Sequence, residues 1–264
     1  MKIGFIGLGN MAKAMIGGML REGIVEAGDI IGSAKTGATL ERRKEEFHIM
    51  TSESNRYVAE YADVVILAVK PVFLSEVIGE IREAVTEKKL VISIAAGKSM
   101  EWIEKEFGKR IKLIRCMPNT PALVGAGCTA VCSNSLAEEA DEEFCLKLME
   151  SFGRAIVISE RLMDAAGAVS GSSPAFVFLL IEAMADGAVK AGMPRKQAYE
   201  FAASAVAGSA RMVLETGIHP GELKDMVCSP GGTTIEGIAV LEEKGMRAAV
   251  IEAVGACVEK SKKL

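Results

Sequence analysis

The chain has 264 residues, half of them hydrophobic and a quarter charged, which suits one large domain or two modest ones with a packed core. A net charge of −4 without a basic stripe argues against nucleic-acid binding. Six cysteines without zinc-ligand spacing, and two histidines far apart in sequence, argue against a metal site and against a secreted disulfide framework.

Short β-branched runs alternate with helical stretches from Met1 to about Ser159. The predicted strands are Lys2–Ile6, Asp29–Ser33, His48–Thr51, Val64–Val69, Leu90–Ile94, Lys112–Cys116, Gly127–Cys132 and Ala155–Ile158. The predicted helices are Met11–Glu22, Ala38–Phe47, Leu74–Val85, Trp102–Phe107 and Ala137–Phe152. This alternation predicts an α/β fold with a doubly wound parallel sheet.

After about Glu160 the pattern changes to helices alone, so we place the boundary between an N-terminal domain, residues 1–160, and an all-α C-terminal domain, residues 161–264. Pro174–Lys190 is nearly apolar all round, and we expect it to be buried on most sides. The high hydropathy of the chain also indicates apolar surface buried between subunits.

The chain enters a strand directly, without a basic leader or a cleavage site. Its longest apolar stretch, Ala175–Ile181, is well short of the roughly 20 residues that a spanning helix needs. We therefore expect a cytoplasmic protein that does not enter a membrane.

A glycine-rich turn follows the first strand and opens the first helix. Its residues, Gly7-Leu8-Gly9-Asn10-Met11-Ala12, fit Gly-x-Gly-x-x-Ala. The first glycine allows the tight turn, the second lets a pyrophosphate approach the backbone, and the small third residue lets helix and strand pack closely. The helix N-terminus supplies free N–H groups for the phosphates. The sequence thus predicts a Rossmann-type dinucleotide site containing Ile6, Gly7, Leu8, Gly9, Asn10 and Met11.

The end of the second strand bears on the choice between NADH and NADPH. An NAD site usually has Asp or Glu there to bond the ribose hydroxyls, whereas no carboxylate occurs between Ile30 and Leu40. Lys35 and the hydroxyls of Ser33 and Thr36 are suited to holding a 2′-phosphate. We predict a preference for NADPH, with NADH possible. The alternative is that Lys35 is only a solvated loop charge.

Three further segments should lie outside the carboxyl ends of the strands, where open α/β sheets bind ligands. They are Ala68-Val69-Lys70-Pro71, Ala95-Ala96-Gly97 and Met117-Pro118-Asn119-Thr120-Pro121. Their small residues and prolines leave the backbone accessible, so that a flat nicotinamide ring can pack against it. The alternative is that these residues only form ordinary turns between strands and helices, which have the same composition.

A second glycine-rich loop, Ser229-Pro230-Gly231-Gly232-Thr233-Thr234, precedes the helical run Ile235–Glu243. Its backbone N–H groups can converge on one point, and Thr233 or Thr234 can cap the helix. Such a nest at a helix N-terminus suits a carboxylate. The alternative is a simple capped helix start.

These motifs resemble those of the pyrroline-5-carboxylate reductase family over essentially the whole chain. The resemblance is carried by Ile6–Ala12, Val69–Pro71, Met117–Pro121, Ser170–Ala175 and, most specifically, Asp225–Thr234. Family members more often have glycine where Ser173 stands, so this chain has extra bulk and a hydroxyl at a tight approach.

The resemblance implies reduction of 1-pyrroline-5-carboxylate to L-proline with NADPH, the final step of proline biosynthesis. It further implies an NAD(P)-binding Rossmann domain and a helical domain for dimerisation and substrate binding, with the active site between one subunit's Rossmann domain and its partner's helices. Dimers of this family often assemble into larger rings, such as a decamer.

The resemblance also implies roles for individual residues. Thr234 is implied to contact the ring nitrogen and is the candidate catalytic residue. The implied substrate-binding residues are Glu160, Ser229, Gly232, Thr233 and Thr234. The implied cofactor residues beyond the glycine-rich turn are Ser33, Asn55, Ala68, Lys70 and Ala95, and Val69 and Pro71 lie in a segment that resembles the family's. Ala96 is a further candidate from its place at the ligand edge of the sheet. For Asn55 the alternative is a helix cap before Arg56–Tyr61.

Two other functions are consistent with the same architecture. A hydroxyacid dehydrogenase needs a base, commonly a lysine on an early helix of the second domain, and Pro174–Val189 contains no lysine. A non-catalytic dinucleotide sensor is the other alternative, because the motifs predict binding and do not prove turnover.

Overall fold

The computed structural model describes Met1–Lys263, and the chain divides into two packed units. The first unit contains residues 1–172 and the end of the chain from Cys257 onward. The second unit is Ser173–Ala256 and is entirely helical in its regular structure. The last strand ends at Val157, and the short helical segments that follow it pack with the first unit through Met163, which lies against Ala130 and Cys132.

Among the described residues, eight strands form one sheet. They are β1 (Ile3–Ile6), β2 (Ile30–Ser33), β3 (Met50–Ser52), β4 (Val64–Leu67), β5 (Leu90–Ser93), β6 (Lys112–Met117), β7 (Gly127–Ser133) and β8 (Gly153–Val157). Their order is β3-β2-β1-β4-β5-β6-β7-β8, and the first six are parallel. This 3-2-1-4-5-6 order is typical of Rossmann-type folds, which bind ligands where the order reverses, here between β1 and β4. The predicted fold class is confirmed.

The sheet departs from the predicted parallel arrangement at β7, which pairs with β6 in the antiparallel direction. Only residues 118–126 join the two strands, and they contain the short 3-10 helix Thr120–Val124. A parallel crossover needs a connection of a dozen or more residues, so this short link returns the chain antiparallel. The longer connection through a helix then allows β8 to run parallel to β7.

Helices cover both faces of the sheet in the first unit. They are α1 (Asn10–Arg21), α2 (Gly37–Phe47), α3 (Asn55–Tyr61), α4 (Leu74–Ile81), α5 (Met100–Phe107), α6 (Glu139–Glu150) and the single turn α7 (Met163–Ala166). One core cluster joins the sheet to α1 and α6, and another joins it to α3, α4 and α5. The central strands are buried on both sides, which is why they are nearly continuous apolar runs.

The second unit begins with α8 (Ser173–Lys190) and α9 (Arg195–Thr216), which pack against each other. They are followed by α10 (Pro220–Val227), α11 (Thr233–Glu243) and α12 (Met246–Ser261), whose last residues belong to the first unit. A π-helical segment, Gly167–Ser172, leads into α8.

The expectation that Pro174–Lys190 is buried on most sides is wrong for the single chain. Phe178 is 61% exposed and Leu179 is 66% exposed. Glu160–Lys190 is long and apolar enough to cross a membrane by length and composition, with only 11% of its most apolar window buried. A single such helix is weak grounds for a membrane span, since an apolar helix that packs on a second subunit has the same composition.

Candidate active site

The glycine-rich turn between β1 and α1 forms as the motif predicts. Gly7 has a φ of 101°, a region that L side chains rarely adopt, and a Cβ there would lie 2.8 Å from the Ala68 carbonyl oxygen. Gly9 is the N-cap of α1, and a Cβ built on it would meet no heavy atom within 4 Å. Ala12 is buried against the sheet. The first glycine is thus required by the backbone, whereas the second leaves space outside the turn.

That space is a cleft of about 890 Å³ outside the carboxyl ends of β1, β2 and β4. Most of the predicted cofactor residues line it: Gly7, Leu8, Gly9, Asn10, Ser33, Lys35, Thr36, Asn55, Ala68, Val69 and Lys70. The structure places the remaining ones outside this lining: Ile6, Met11, Pro71, Ala95 and Ala96. Ile6 has no exposed surface within β1, and Ala95 and Ala96 follow β5, one strand farther along the sheet.

Two arginines also line the cleft, and the sequence motifs do not predict them. Arg42 and Arg43, both on α2, reach the cleft with Lys35 and Lys70. Their position could have been inferred from helical spacing. Thr36 and Thr39 also line the cleft, and residues three or four positions farther along a helix lie on the same face. Lys35 Nζ lies 4.3 Å from the centroid of the Phe73 ring, so that cation is held over the cleft wall.

Carboxylates also line the cleft, although none follows β2. Glu53 comes from the loop after β3, and Glu76 and Glu80 come from α4. These carboxylates lie away from the end of β2, where the motif locates the ribose-binding residue, so the motif does not predict them. The cations Lys35 and Arg42 stand on the β2–α2 side of the cleft, whereas two of the three carboxylates belong to α4.

The alternative role of Asn55 as a helix cap is wrong. Ser54 caps α3 instead, because its hydroxyl accepts a hydrogen bond from the Tyr57 N–H at 3.1 Å. The Asn55 Oδ1 accepts from the Ser33 hydroxyl at 2.6 Å, and its Nδ2 donates to the Glu80 carboxylate at 2.8 Å. The amide therefore links the end of β2 to α4 at the edge of the cleft.

Glu160 is engaged within the first unit. Its Oε1 accepts from the Met100 N–H at 2.7 Å and from Arg115 Nη1 at 3.2 Å. Met100 is the first residue of α5, so the carboxylate holds the helix that follows the segment containing Ala95 and Ala96. Burial raises the pKa of the nearby Cys132 thiol to about 11, and the Glu160 charge adds to that effect.

Asn119, in the third ligand-edge segment, connects two other parts of the first unit. Its Oδ1 accepts from the Cys128 N–H at 2.8 Å, and its Nδ2 donates to the Ser170 carbonyl at 2.9 Å. The side chain thus anchors the β6–β7 connection to the start of β7 and to the π-helical segment. Asn119 is buried with both amide atoms satisfied, which indicates a structural role for this part of the motif.

The second glycine-rich loop lies in the second unit and leads into α11. Gly231 has a φ of 66°, and the Gly232 N–H donates to the Ser229 carbonyl at 3.0 Å. The N-cap of α11 is Gly232, so the expectation that Thr233 or Thr234 caps this helix is wrong. Both threonines begin the helix, with Thr233 exposed and Thr234 half-buried. Neither hydroxyl caps the helix, and the first N–H groups of a helix have no intrahelical partner.

Among residues 1–263, no group of three or more His, Cys, Asp or Glu side chains is arranged to hold a metal ion. The cysteines of this part of the chain are free thiols.

A Rossmann-type sheet with its glycine-rich turn beside an open cleft, followed by a helical domain, defines the class of two-domain nicotinamide-dependent oxidoreductases. Family models match both parts of the chain: residues 2–97 match "NADP oxidoreductase coenzyme F420-dependent", and residues 160–264 match "Pyrroline-5-carboxylate reductase dimerisation".

Individual relatives are similar over the full length. The pyrroline-5-carboxylate reductase of Escherichia coli is 53% identical over 263 residues, which cover 100% of this chain and 98% of that protein. The solved pyrroline-5-carboxylate reductase of Coxiella burnetii has a TM-score of 0.92 at 36% identity, covering 99% of this chain and 97% of that one. The Plasmodium falciparum enzyme, solved with NADP bound, has a TM-score of 0.89 at 33% identity with the same coverage. The chain belongs to the pyrroline-5-carboxylate reductase family.

Proposed function

We propose that this protein reduces 1-pyrroline-5-carboxylate to L-proline with NADPH, the final step of proline biosynthesis. The observation that carries the proposal is the pair of glycine-rich elements, the Gly7–Asn10 turn at the cleft and the Ser229–Thr234 loop, in a chain whose full length matches this family. The first element suits a dinucleotide and the second suits a small carboxylate. Family membership disfavours the hydroxyacid dehydrogenase alternative.

The cleft has room for a dinucleotide beside the glycine-rich turn. The position that a Gly9 Cβ would fill is open, and the N-terminus of α1 begins at that point. Lys35 and Arg42 provide cations on the adenine-ribose side, where a 2′-phosphate distinguishes NADPH from NADH. Ser33 and Asn55 are already hydrogen-bonded to each other, so we propose that they orient the ribose as a pair.

We further propose that the loop before α11 binds the substrate. The backbone N–H groups of Gly232, Thr233 and Thr234 hold the carboxylate at the positive end of the helix. The Thr234 hydroxyl hydrogen-bonds the ring nitrogen. Ser229 supports the turn through its carbonyl, which accepts from Gly232. Glu160 is a further proposed substrate-binding residue, and it lies beside the start of α5, where its Oε1 accepts from the Met100 N–H.

NADPH, when bound, supplies the hydride that is added to the imine carbon. The chain's own part is to orient the planar substrate and to bind its nitrogen, because a protonated imine is far more electrophilic than a neutral one. Solvent supplies the proton that turns the neutral imine into the iminium. On hydride addition, the two electrons of the C=N π bond move to that nitrogen, which becomes the amine of proline without a further proton transfer. No histidine lies in the segments assigned to the site, so solvent is the proposed proton source.

The exposed apolar surface of the second unit supports a homodimer, with a ring of dimers such as a decamer as the larger assembly. Phe178, Leu179 and Phe201 each expose more than half of their surface in the single chain. A second copy covers them in the proposed dimer, in place of a membrane. We keep residue 160 as the boundary between the cofactor domain and the dimerisation and substrate domain, and we place the protein in the cytoplasm.

One assay tests the reaction. Purified protein, NADPH and 1-pyrroline-5-carboxylate should give NADPH oxidation and an equal amount of L-proline, detected by chromatography. Tight NADPH binding without turnover would favour the non-catalytic sensor. Oxidation of NADPH without proline would contradict the proposed product.

The role of Thr234 has its own test. Thr234→Ala should lower kcat/KM by at least roughly tenfold, about 1.4 kcal/mol of transition-state stabilisation, because a hydrogen bond to the ring nitrogen is lost. Thr233→Ala is the matched control for the hydroxyl, since only the backbone N–H of Thr233 is assigned a role. Equal kinetics for Thr234→Ala and the wild type would refute the assignment.

A further inference from the structure

Arg43 is a charged side chain buried beneath the glycine-rich turn. Only 3% of its side chain is exposed, although it lies on α2, whose neighbouring residues Arg42 and Lys44 are both exposed. Buried arginine is rare unless its charge is paired and its N–H groups are hydrogen-bonded. We therefore expect this guanidinium to be paired and hydrogen-bonded within the protein.

The guanidinium bridges the turn and an ion-pair network. Its Nε donates to the Leu8 carbonyl at 3.3 Å, and its Nη1 donates to the Glu46 carboxylate at 2.7 Å. Glu46 also pairs with Lys13 on α1 at 2.5 Å. The network therefore ties together α2, α1 and the turn between β1 and α1.

The direction of the Leu8 carbonyl determines the direction of the next N–H group. In a planar trans peptide, the C=O of one residue and the N–H of the next point to opposite sides. The Leu8 carbonyl points to Arg43, so the Gly9 N–H of the same peptide points to the opposite side, and Gly9 is an exposed residue of the cleft lining. The Leu8 side chain is also buried and fills the space over Gly32, which keeps the turn from rotating.

We infer that Arg43 is a positioning residue for the dinucleotide pyrophosphate: it fixes the Leu8–Gly9 peptide so that the Gly9 N–H faces the phosphates. This inference rests on the proposed NADPH-binding function. Because the pyrophosphate is common to both nicotinamide cofactors, Arg43 acts on NADPH and NADH alike. It differs in this from Lys35 and Arg42, which are assigned to the 2′-phosphate.

The test compares dissociation constants of three ligands for the full-length protein. Arg43→Met retains the length and burial of the side chain but removes both hydrogen bonds. It should weaken NADPH and NADH by about tenfold each, the effect of losing one charge-assisted hydrogen bond, while their ratio stays constant. Adenosine 2′-monophosphate has no 5′-phosphate, and its affinity, followed by NMR titration, should be unchanged.

Arg43→Lys retains the charge but not the fork that reaches two partners, and it should fall between wild type and Arg43→Met. Lys44→Met, at an exposed neighbouring position outside the cleft, is the matched control and should bind all three ligands as the wild type does. If Arg43→Met does not fold, Arg43→Lys carries the comparison.

The inference is overturned if the Arg43 variants bind NADPH as tightly as the wild type does. It is also overturned if they lose adenosine 2′-monophosphate to the same extent, because that result indicates a general loss of the cleft. A wild-type protein that binds neither NADPH nor NADH overturns the proposed function together with this inference.

Discussion

The two glycines of the cofactor turn should respond differently to the same added methyl group. Gly9 has a φ of −72° and a ψ of −169°, which alanine adopts without strain, and its added Cβ meets no protein atom within 4 Å. Gly9→Ala loses a favourable N-cap residue but also restricts the unfolded chain, and the two effects oppose each other. We expect the free energy of unfolding to change by less than about 1 kcal/mol.

The same methyl group occupies the space proposed for the pyrophosphate. Forcing a methyl group into a filled site costs about 1–3 kcal/mol, so Gly9→Ala should weaken NADPH about ten- to hundredfold. Gly7→Ala is the matched control, because its φ of 101° and the Ala68 carbonyl oxygen at 2.8 Å make the substitution strained. That variant should lose about 2 kcal/mol or more of folding stability.

Two measurements separate these effects: denaturant unfolding without ligand, and fluorescence titration with NADPH. We expect a stable Gly9→Ala variant that binds NADPH poorly and an unstable Gly7→Ala variant. A Gly9→Ala variant with wild-type affinity for NADPH would refute the placement of the pyrophosphate at this turn.

Three other outcomes follow from particular contacts. The double substitution Lys35→Ala with Arg42→Ala removes charge-assisted hydrogen bonds to a 2′-phosphate. It should lower the ratio of kcat/KM with NADPH to kcat/KM with NADH by about tenfold or more. An unchanged ratio would show that these cations are only solvated. Thr129 has a buried hydroxyl without a hydrogen-bond partner among the described residues, so Thr129→Val should raise the free energy of unfolding by about 1 kcal/mol in urea titrations, and a loss of stability would contradict this view. Lys13 and, to a smaller extent, Arg43 hold the pKa of Glu46 below its ordinary value of 4.5, so its stabilisation is complete at neutral pH and is lost as pH falls through the lowered pKa. The stability difference between wild type and Glu46→Gln should therefore shrink as the pH falls below about 4.5, and a constant difference would argue against the ionic network.

The local sequence determined the elements that position the cofactor. Gly7, Gly9 and Ala12 belong to one continuous motif, in which the glycines meet backbone requirements of the turn and the alanine allows the helix that follows to pack closely on the strand. Apolar runs with β-branched residues identified the buried parallel strands in the same way. The lack of a carboxylate after β2 could also be read directly, and it led to Lys35, which lines the cleft.

Only the tertiary structure decided which distant residues meet at these elements. Glu80 meets Asn55, and Arg43 meets Leu8, through helices that return to the cleft from other parts of the chain. Such contacts depend on the packing of whole elements.

Helix α8 also shows the difference between what the sequence determines and what the tertiary structure decides. The sequence alone determined that this helix must leave water, because nearly every face of it is apolar. The fold of one chain leaves Phe178 and Leu179 exposed. The sequence of the helix therefore does not identify the residues that would cover these two side chains. A partner surface is a property of the assembled molecule, since hydrophobic burial is non-directional and any complementary apolar face satisfies it.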